Sequence, residues 1–299
     1  MDNFRDLHYN SISTYLKNEF GQRIVKLALD AGLTCPNRDG NKGYGGCSFC
    51  LGGSGEFTAD IDTQIKAARE KWKEPVKFLA YFQSYTNTYA DAQYLRMLWE
   101  EALSHEDVIG LVISTRPDCI DGEVLDVLSD LNKKCFMWVE LGFQTANEKT
   151  AEDFNRCYPN AIFSNAMVML NACGIKTVVH LMLGFKGEDE KQFIESAKYV
   201  ASKKPFGMKL HMLHVMEGTR MGEDYKADPW PLLTKEEYVK CIVDILEWIP
   251  KEITIHRLTG DAPGDALIAP EWTRNKHDVL NSILHEFSVR NTYQGKALE

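Results

Sequence analysis

Between residues 23 and 257, short apolar runs alternate with longer stretches whose apolar positions recur every three or four residues. The runs at 23–29, 76–82, 108–114, 135–141, 176–183, 207–213 and 252–257 read as strands, rich in β-branched and aromatic residues. Helical periodicity fills the intervals at about 60–73, 90–104, 121–132, 159–173, 188–203 and 234–249. Boundary signals agree. Asp121 suits an N-cap, Gly174 a C-terminal stop, and Thr234 with Glu237 a capping box. Residues 1–20 read as an extension ending in a helix, with Tyr15, Leu16 and Phe20 available for packing, and a last helix is expected near 275–288.

Strands separated by helices imply parallel pairing with right-handed crossovers, hence a barrel or an open doubly wound sheet. The units are too few for a closed eightfold barrel. Residues from about 221 onward are expected to close the barrel's bottom or side. On the fifth strand Val178, His180 and Met182 share one face and Val179, Leu181 and Leu183 the other. On the sixth, Lys209, His211 and Leu213 oppose Met208, Leu210 and Met212. The polar set should point inward and the apolar set outward, beneath the helices.

In parallel α/β folds the reactive site lies at the carboxyl ends of the strands. Those ends carry Gln83, Ser84 and Tyr85; Ser114, Thr115 and Arg116; Glu140 and Gln144; His180 and Met182; Lys209, His211 and His214; and His256 with Arg257. Glu140 reads as a buried ion-pair partner, with Arg116 as the candidate cation, and the apolar Phe82, Phe136, Trp138 and Phe143 are expected beside the site. Lys209, His211, His214, His256 and Arg257 are assigned to substrate, as is the glycine-rich run from Ile255 to Gly264.

Charge and cysteine content narrow the class. The 299 residues carry a net charge of -9, with a pI near 5.5, which argues against nonspecific nucleic-acid binding driven by overall charge but leaves room for RNA at a local basic patch; no DNA partner is expected. Local basic pairs at Lys71 and Lys73, Lys133 and Lys134, Lys203 and Lys204, and Arg274 and Lys276 read as solvated helix ends. No apolar run is long enough to cross a bilayer, and the opening Met1–Asp6 has no signal-peptide core, so a cytoplasmic, membrane-free protein is expected. Eight cysteines are too sparse for a disulfide scaffold.

Three of those cysteines lie together after the first strand, at Cys35, Cys47 and Cys50. Structural zinc is closed by four protein ligands and ordinary clusters by four cysteines, so three thiolates would leave one metal open. Gly40, Gly43, Gly45 and Gly46 give the loop freedom to fold tightly around an inorganic core. Two other readings stand beside this one: a zinc knuckle recruiting a histidine such as His8, and inert buried thiols. Cysteines 119, 135, 157, 173 and 241 show no cluster spacing, so no auxiliary cluster is expected.

The run Cys35-Pro-Asn-Arg-Asp-Gly with Gly46-Cys-Ser-Phe-Cys50 resembles the radical S-adenosylmethionine (SAM) superfamily, specifically the YtqA/YhcC-like group related to the elongator catalytic subunit. The resemblance implies a partial (β/α)6 TIM-like barrel at 23–260, flanked by an N-terminal extension (1–22) and a C-terminal helical extension (261–299). It implies a 4Fe-4S cluster on the three cysteines, S-adenosylmethionine on its open iron, and a 5'-deoxyadenosyl radical after reduction by a donor such as flavodoxin or ferredoxin. Gln83 and Ser84 take the place of the family's Gly-Gly-Glu element, and Glu140-Leu-Gly-Phe-Gln144 resembles its Glu-x-Gly-x-Gln segment. With Phe49, Ser114, Arg116, His180 and Met182 these form the expected cofactor set, and Leu183–Glu188 resembles a packing and adenine-side turn. The implied substrate is tRNA, at the wobble-uridine side chain, converting carboxymethylaminomethyl to aminomethyl. A radical enzyme for a small metabolite or protein, and a noncatalytic zinc-binding interaction module, are the alternatives.

Overall fold

The computed structural model describes residues 7–52, 60–72, 76–262 and 264–299; Met1–Asp6, Lys73 and Pro263 of the sequence reading lie outside these. Strands β1 (Ile24–Leu29), β2 (Lys77–Phe82), β3 (Val108–Thr115), β4 (Phe136–Gln144), β5 (Lys176–Leu183) and β6 (Gly207–Met212) fall where the apolar runs predict them. A two-residue β7 (Val215–Met216) precedes β8 (Thr254–Arg257) and a short β9 (Leu267–Ala269). The helices are α1 (Ile12–Phe20), α2 (Ile61–Arg69), α3 (Ala92–Leu103), α4 (Gly122–Asn132), α5 (Glu148–Asp153), α6 (Asn160–Ala172), α7 (Glu190–Ser202), α8 (Arg220–Ala227), α9 (Lys235–Glu247) and α10 (Lys276–Arg290).

Seven strands form one sheet in the order β1-β2-β3-β4-β5-β6-β8, every neighbour parallel, and it curls into a half-barrel. The expected partial barrel thus carries a seventh strand, because 252–257 joins the same sheet. Neighbours in the sheet follow chain order because each crossover carries at least one helix back over the sheet; β4 to β5 passes through α5 and α6, and β6 to β8 through β7, α8 and α9. Asp121 accepts from Val124 N at 2.9 Å, and Thr234 and Glu237 complete a capping box. Among the described residues no helix is long and apolar enough to cross a membrane.

Alternation sorts the two faces as β5 and β6 predict. Val179, Leu181, Leu183, Met208, Leu210 and Met212 pack outward in the large core under the helices. Phe82 and Phe143 also lie in that outer layer, so two of the four aromatics expected beside the site are turned away from it. Tyr81 and Trp138 face inward, which forces Phe82 and Phe143, an odd number of residues along their strands, to the other side.

Inside the barrel the lowest level is apolar. Leu79, Val112, Trp138 and Val178 meet Ile12 and Leu16 of α1, which plugs the amino end of the sheet. Just before α1, Asn10 accepts from Ile255 N at 2.7 Å, stitching the N-terminal segment to β8. The buried Gln294 side chain bonds Asn10 N, Pro250 O and Ile253 O, so both chain ends close the bottom.

At the opposite end, Asn87 is fully buried and its Nδ2 lies 3.0 Å from each of the carbonyls of Phe82, Ser84 and Ser114, tying the end of β2 to β3. Asn87→Ala strands these acceptors in a dry site. We expect a loss of about 2–3 kcal/mol in unfolding free energy by urea titration, and a change below about 0.5 kcal/mol would show that the staple carries no stability.

Candidate functional site

A cavity of about 600 Å³ lies at the carboxyl ends of the strands, and Cys35, Cys47 and Cys50 all line it. Its floor is one carboxylate. Glu140 is fully buried and receives five donors: Tyr81 Oη at 2.8 Å, Ser114 Oγ at 3.1 Å, His180 Nε2 at 2.9 Å and Lys209 Nζ on Oε2, and Trp138 Nε1 at 3.0 Å on Oε1. Lys209 also donates to Tyr81 Oη at 3.0 Å. The donors come from β2, β3, β4, β5 and β6. Because barrel strands tilt, one level draws on successive register rows, from Ser114 opposite Glu140 to His180 opposite Lys209.

Electrostatics follow from burial and contacts. Burial alone would raise the Glu140 pKa, but Lys209, His180 and Lys26 outweigh it and hold the group well below the usual carboxylate range. Burial pushes Lys209 down to about 8, opposed by Glu140 and assisted by Lys26. Burial and Lys209 push His180 down to about 4, so it is a neutral imidazole whose Nε2–H donates to Glu140. The expected Glu140–Arg116 pair does not form. Arg116 lies beyond the end of β3, makes two 2.9 Å bonds to Asp118, and donates to Arg156 O at 3.0 Å.

The cysteine loop is built against the segment after α5. Asn155 Nδ2 donates to Tyr44 O and Gly46 O, Asn37 Nδ2 donates to Asn155 O at 2.6 Å, and Arg38 donates to Cys50 O at 2.6 Å. Gly40, Gly45 and Gly46 take positive φ as expected, but Gly43 does not. Gly43 is required by crowding, since a Cβ there would overlap Asn37 Oδ1 and the Cys157 Sγ. Phe49 meets Phe154 at 5.3 Å and Phe185 at 5.9 Å between ring centroids, so the Leu183–Glu188 turn braces the loop.

Of the residues expected around the cofactor, Phe49, Gln83, Ser114, Arg116, Glu140, Gln144, His180 and Met182 line the cavity. Ser84 does not; it is buried at the β2–β3 staple, where its carbonyl accepts from Asn87. Of those expected around substrate, Lys209, His211, His214 and Arg257 line it. His256 does not. It is wedged edge-on between Trp138 and Phe206, with Nε2 3.0 Å from Thr254 Oγ1. A bulge after Met208 pairs Lys209 with Arg257 and skips His256, which is why two consecutive residues part ways. His8 stacks on Phe287, 5.5 Å between ring centroids, against α10 and not at the cysteine loop.

The sequence reading missed Arg156. Its guanidinium, 2% exposed, donates to the carbonyls of Phe143 and Thr145, to Tyr158 O, to Glu148 and to Asn160. It thereby grips both neighbours of Gln144, which sits at φ 72° beside a bulge and turns into the cavity. A left-handed non-glycine residue costs about 1–3 kcal/mol and persists only where its surroundings fix it. The buried Gln144 Oε1 has no partner among the described residues. Three free thiols on one rim, a crowded glycine cradle and this orphaned acceptor fit a thiolate-bound cluster with a polar ligand beside it. Burial pushes the Cys47 thiol up to about 12 despite Arg116, and a metal cation is what would make it a thiolate ligand.

Residues 35–200 match the Radical SAM superfamily and residues 205–288 the Radical_SAM C-terminal domain. The chain is 41% identical over 297 residues to YtqA of Bacillus subtilis (strain 168), covering 96% of this chain and 92% of that one. It is 32% identical over 289 residues to YhcC of Escherichia coli (strain K12), covering 94% of each. Among solved structures, an N-terminally truncated Elp3 of Methanocaldococcus infernus superposes with a TM-score of 0.70 at 17% identity, over 91% of this chain and 64% of that chain.

His180 and His214, both pushed down to about 4 by burial, bind no proton in the folded protein at pH values where unfolded histidine, near 6.5, does. The unfolded state therefore takes up more protons between these values, and stability falls as pH drops from about 6.5 toward 4. Urea midpoints across that range should decline, and His180→Gln should flatten the slope; an unchanged slope would mean that His180 is protonated in the native state.

Proposed function

This chain belongs to the radical SAM superfamily, as a homologue of YtqA and YhcC, and from that premise we propose that it holds a 4Fe-4S cluster on Cys35, Cys47 and Cys50, with S-adenosylmethionine on the adjoining wall. The observation that carries this reading is that the three thiols share one cavity with the orphaned acceptor of Gln144 and the Glu140 floor. Members of the superfamily bind both groups. Bound together they supply reductive cleavage of the sulfonium to a 5'-deoxyadenosyl radical, with the electron drawn from a flavodoxin or ferredoxin.

The chain's own residues bind, orient and exclude. Gln144 offers its unpaired Oε1 to a donor on the cofactor, an ammonium or a ribose hydroxyl, and Arg156 fixes its backbone for that contact. Glu140 has its oxygens taken by five donors, so it acts as the positioning residue beneath the ligand. The neutral His180 and the anchored Lys209 present a wall whose protons are already committed to Glu140. Phe49, Met182 and the apolar cluster of Phe154, Phe185 and Leu213 shield the cysteine side from water.

The substrate in this reading is tRNA, and the change is removal of the carboxymethyl group from a carboxymethylaminomethyl side chain on the wobble uridine. It is supported by relationship to the YtqA/YhcC-like group and by the fold shared with Elp3.

Anaerobic protein reconstituted with iron and sulfide, given S-adenosylmethionine and dithionite, should release 5'-deoxyadenosine, and Cys47→Ala should release none. No release from the wild type would end the radical reading. Nucleosides of tRNA from cells lacking the protein should retain the carboxymethylaminomethyl form at the expense of the aminomethyl form; an identical profile would remove tRNA as substrate and leave the radical chemistry in place.

A further inference from the structure

The cavity wall carries more cations than its carboxylates balance. Lys209 is matched by Glu140. Lys26, on β1, lines the same cavity and is half-buried, yet no carboxylate pairs with it among the described residues. Its ammonium rests 5.0 Å from the centroid of the Tyr81 ring, the same ring that Lys209 approaches at 5.0 Å. Burial and the nearby Arg257 both push Lys26 down, with only Glu140 opposing. On the far edge of the sheet, Arg257 reaches the cavity through the bulge that sets it beside Lys209, and Arg257 and Lys276 share one carboxylate, Asp261.

Lys26 and Lys209 face the single carboxylate of Glu140, which leaves one excess positive charge on that wall, while the solvent-exposed Arg257 at the opposite edge shares Asp261 with Lys276. Excess charge in a recessed site is costly unless a counter-charge arrives. Beside these groups His211 lines the cavity with Nε2 buried and unpartnered among the described residues. A neutral imidazole can donate there to an anion.

We propose that Lys26 and Arg257, with His211, form a subsite for an anionic group of the substrate, a carboxylate or a phosphate. The subsite rests on the reading of the cavity as a radical SAM active site and deepens it: the molecule transformed must carry a negative charge near the atom attacked. For a carboxymethylaminomethyl uridine the natural occupant is the side-chain carboxylate. For any tRNA a backbone phosphate offers the same chemistry.

Equilibrium binding to the reconstituted protein separates these. The probes are 5-carboxymethylaminomethyluridine, 5-aminomethyluridine and uridine 5'-monophosphate, against wild type, Lys26→Met, Arg257→Gln and the conservative Lys26→Arg. We expect one anionic probe to bind, Lys26→Met and Arg257→Gln each to weaken it by about tenfold, the size of one charge-assisted contact, and Lys26→Arg to restore most of it. In each variant S-adenosylmethionine affinity should fall by less than probe affinity, because the subsite serves the substrate. Preference for the carboxymethyl nucleoside assigns the subsite to the side chain, and preference for the monophosphate assigns it to the backbone. The proposal is overturned if neither anionic probe binds the wild type, if the variants bind as tightly as wild type, or if they lose S-adenosylmethionine to the same extent, which would give the cations to the cofactor's carboxylate. Failure of the wild type to cleave S-adenosylmethionine would instead sink the enzymatic reading while leaving anion binding measurable.

Discussion

The half-barrel is organised around a carboxylate that water does not reach. An isolated carboxylate in an apolar interior is prohibitively costly, and Glu140 is tolerated because its two oxygens take five donors from five strands. Each donor must arrive on the inner face at one level. A one-residue slip of β2, β3, β5 or β6 would turn Tyr81, Ser114, His180 or Lys209 outward and leave the charge short of a partner. The polar floor is therefore also a register lock, and the apolar rows beneath the helices are satisfied by the same alignment.

That lock explains which parts of the molecule could be read in the chain. Strands of the sheet show as apolar runs because one face always packs under helices, and alternation on β5 and β6 separates cavity from core. The same parity decides Phe82 and Phe143, once Tyr81 and Trp138 are known to point inward. Side-chain pairing is different, because it depends on reach across strands that no local pattern encodes. Arg116 looked like the partner of Glu140 because both sit at strand ends, but Asp118, two residues further on, claims it at shorter range. Lys209 wins the carboxylate from two strands away.

Short and irregular features were least visible. Helices α5 and α8 and the β7–β9 pair are each too brief for a period to emerge above composition. The bulge after Met208 exchanges the roles of His256 and Arg257, and nothing in Ile255-His256-Arg257 announces it. Arg156 follows the same rule. As one arginine after a short helix it is unremarkable, and only the folded arrangement shows it holding the carbonyls on either side of Gln144. The grouping of Cys35, Cys47 and Cys50 was visible for the opposite reason, since residue type and spacing mark it in the chain, and the fold then sets all three thiols on one cavity.

The plug of Ile12 and Leu16 against Leu79, Val112, Trp138 and Val178 makes the barrel a cup instead of a tube. Traffic through a vessel sealed at its base is ordered by depth: whatever settles lowest has to enter before, and depart after, whatever covers it. Anything lodged at that depth has its cover, and not solvent, as its nearest neighbour on the open side.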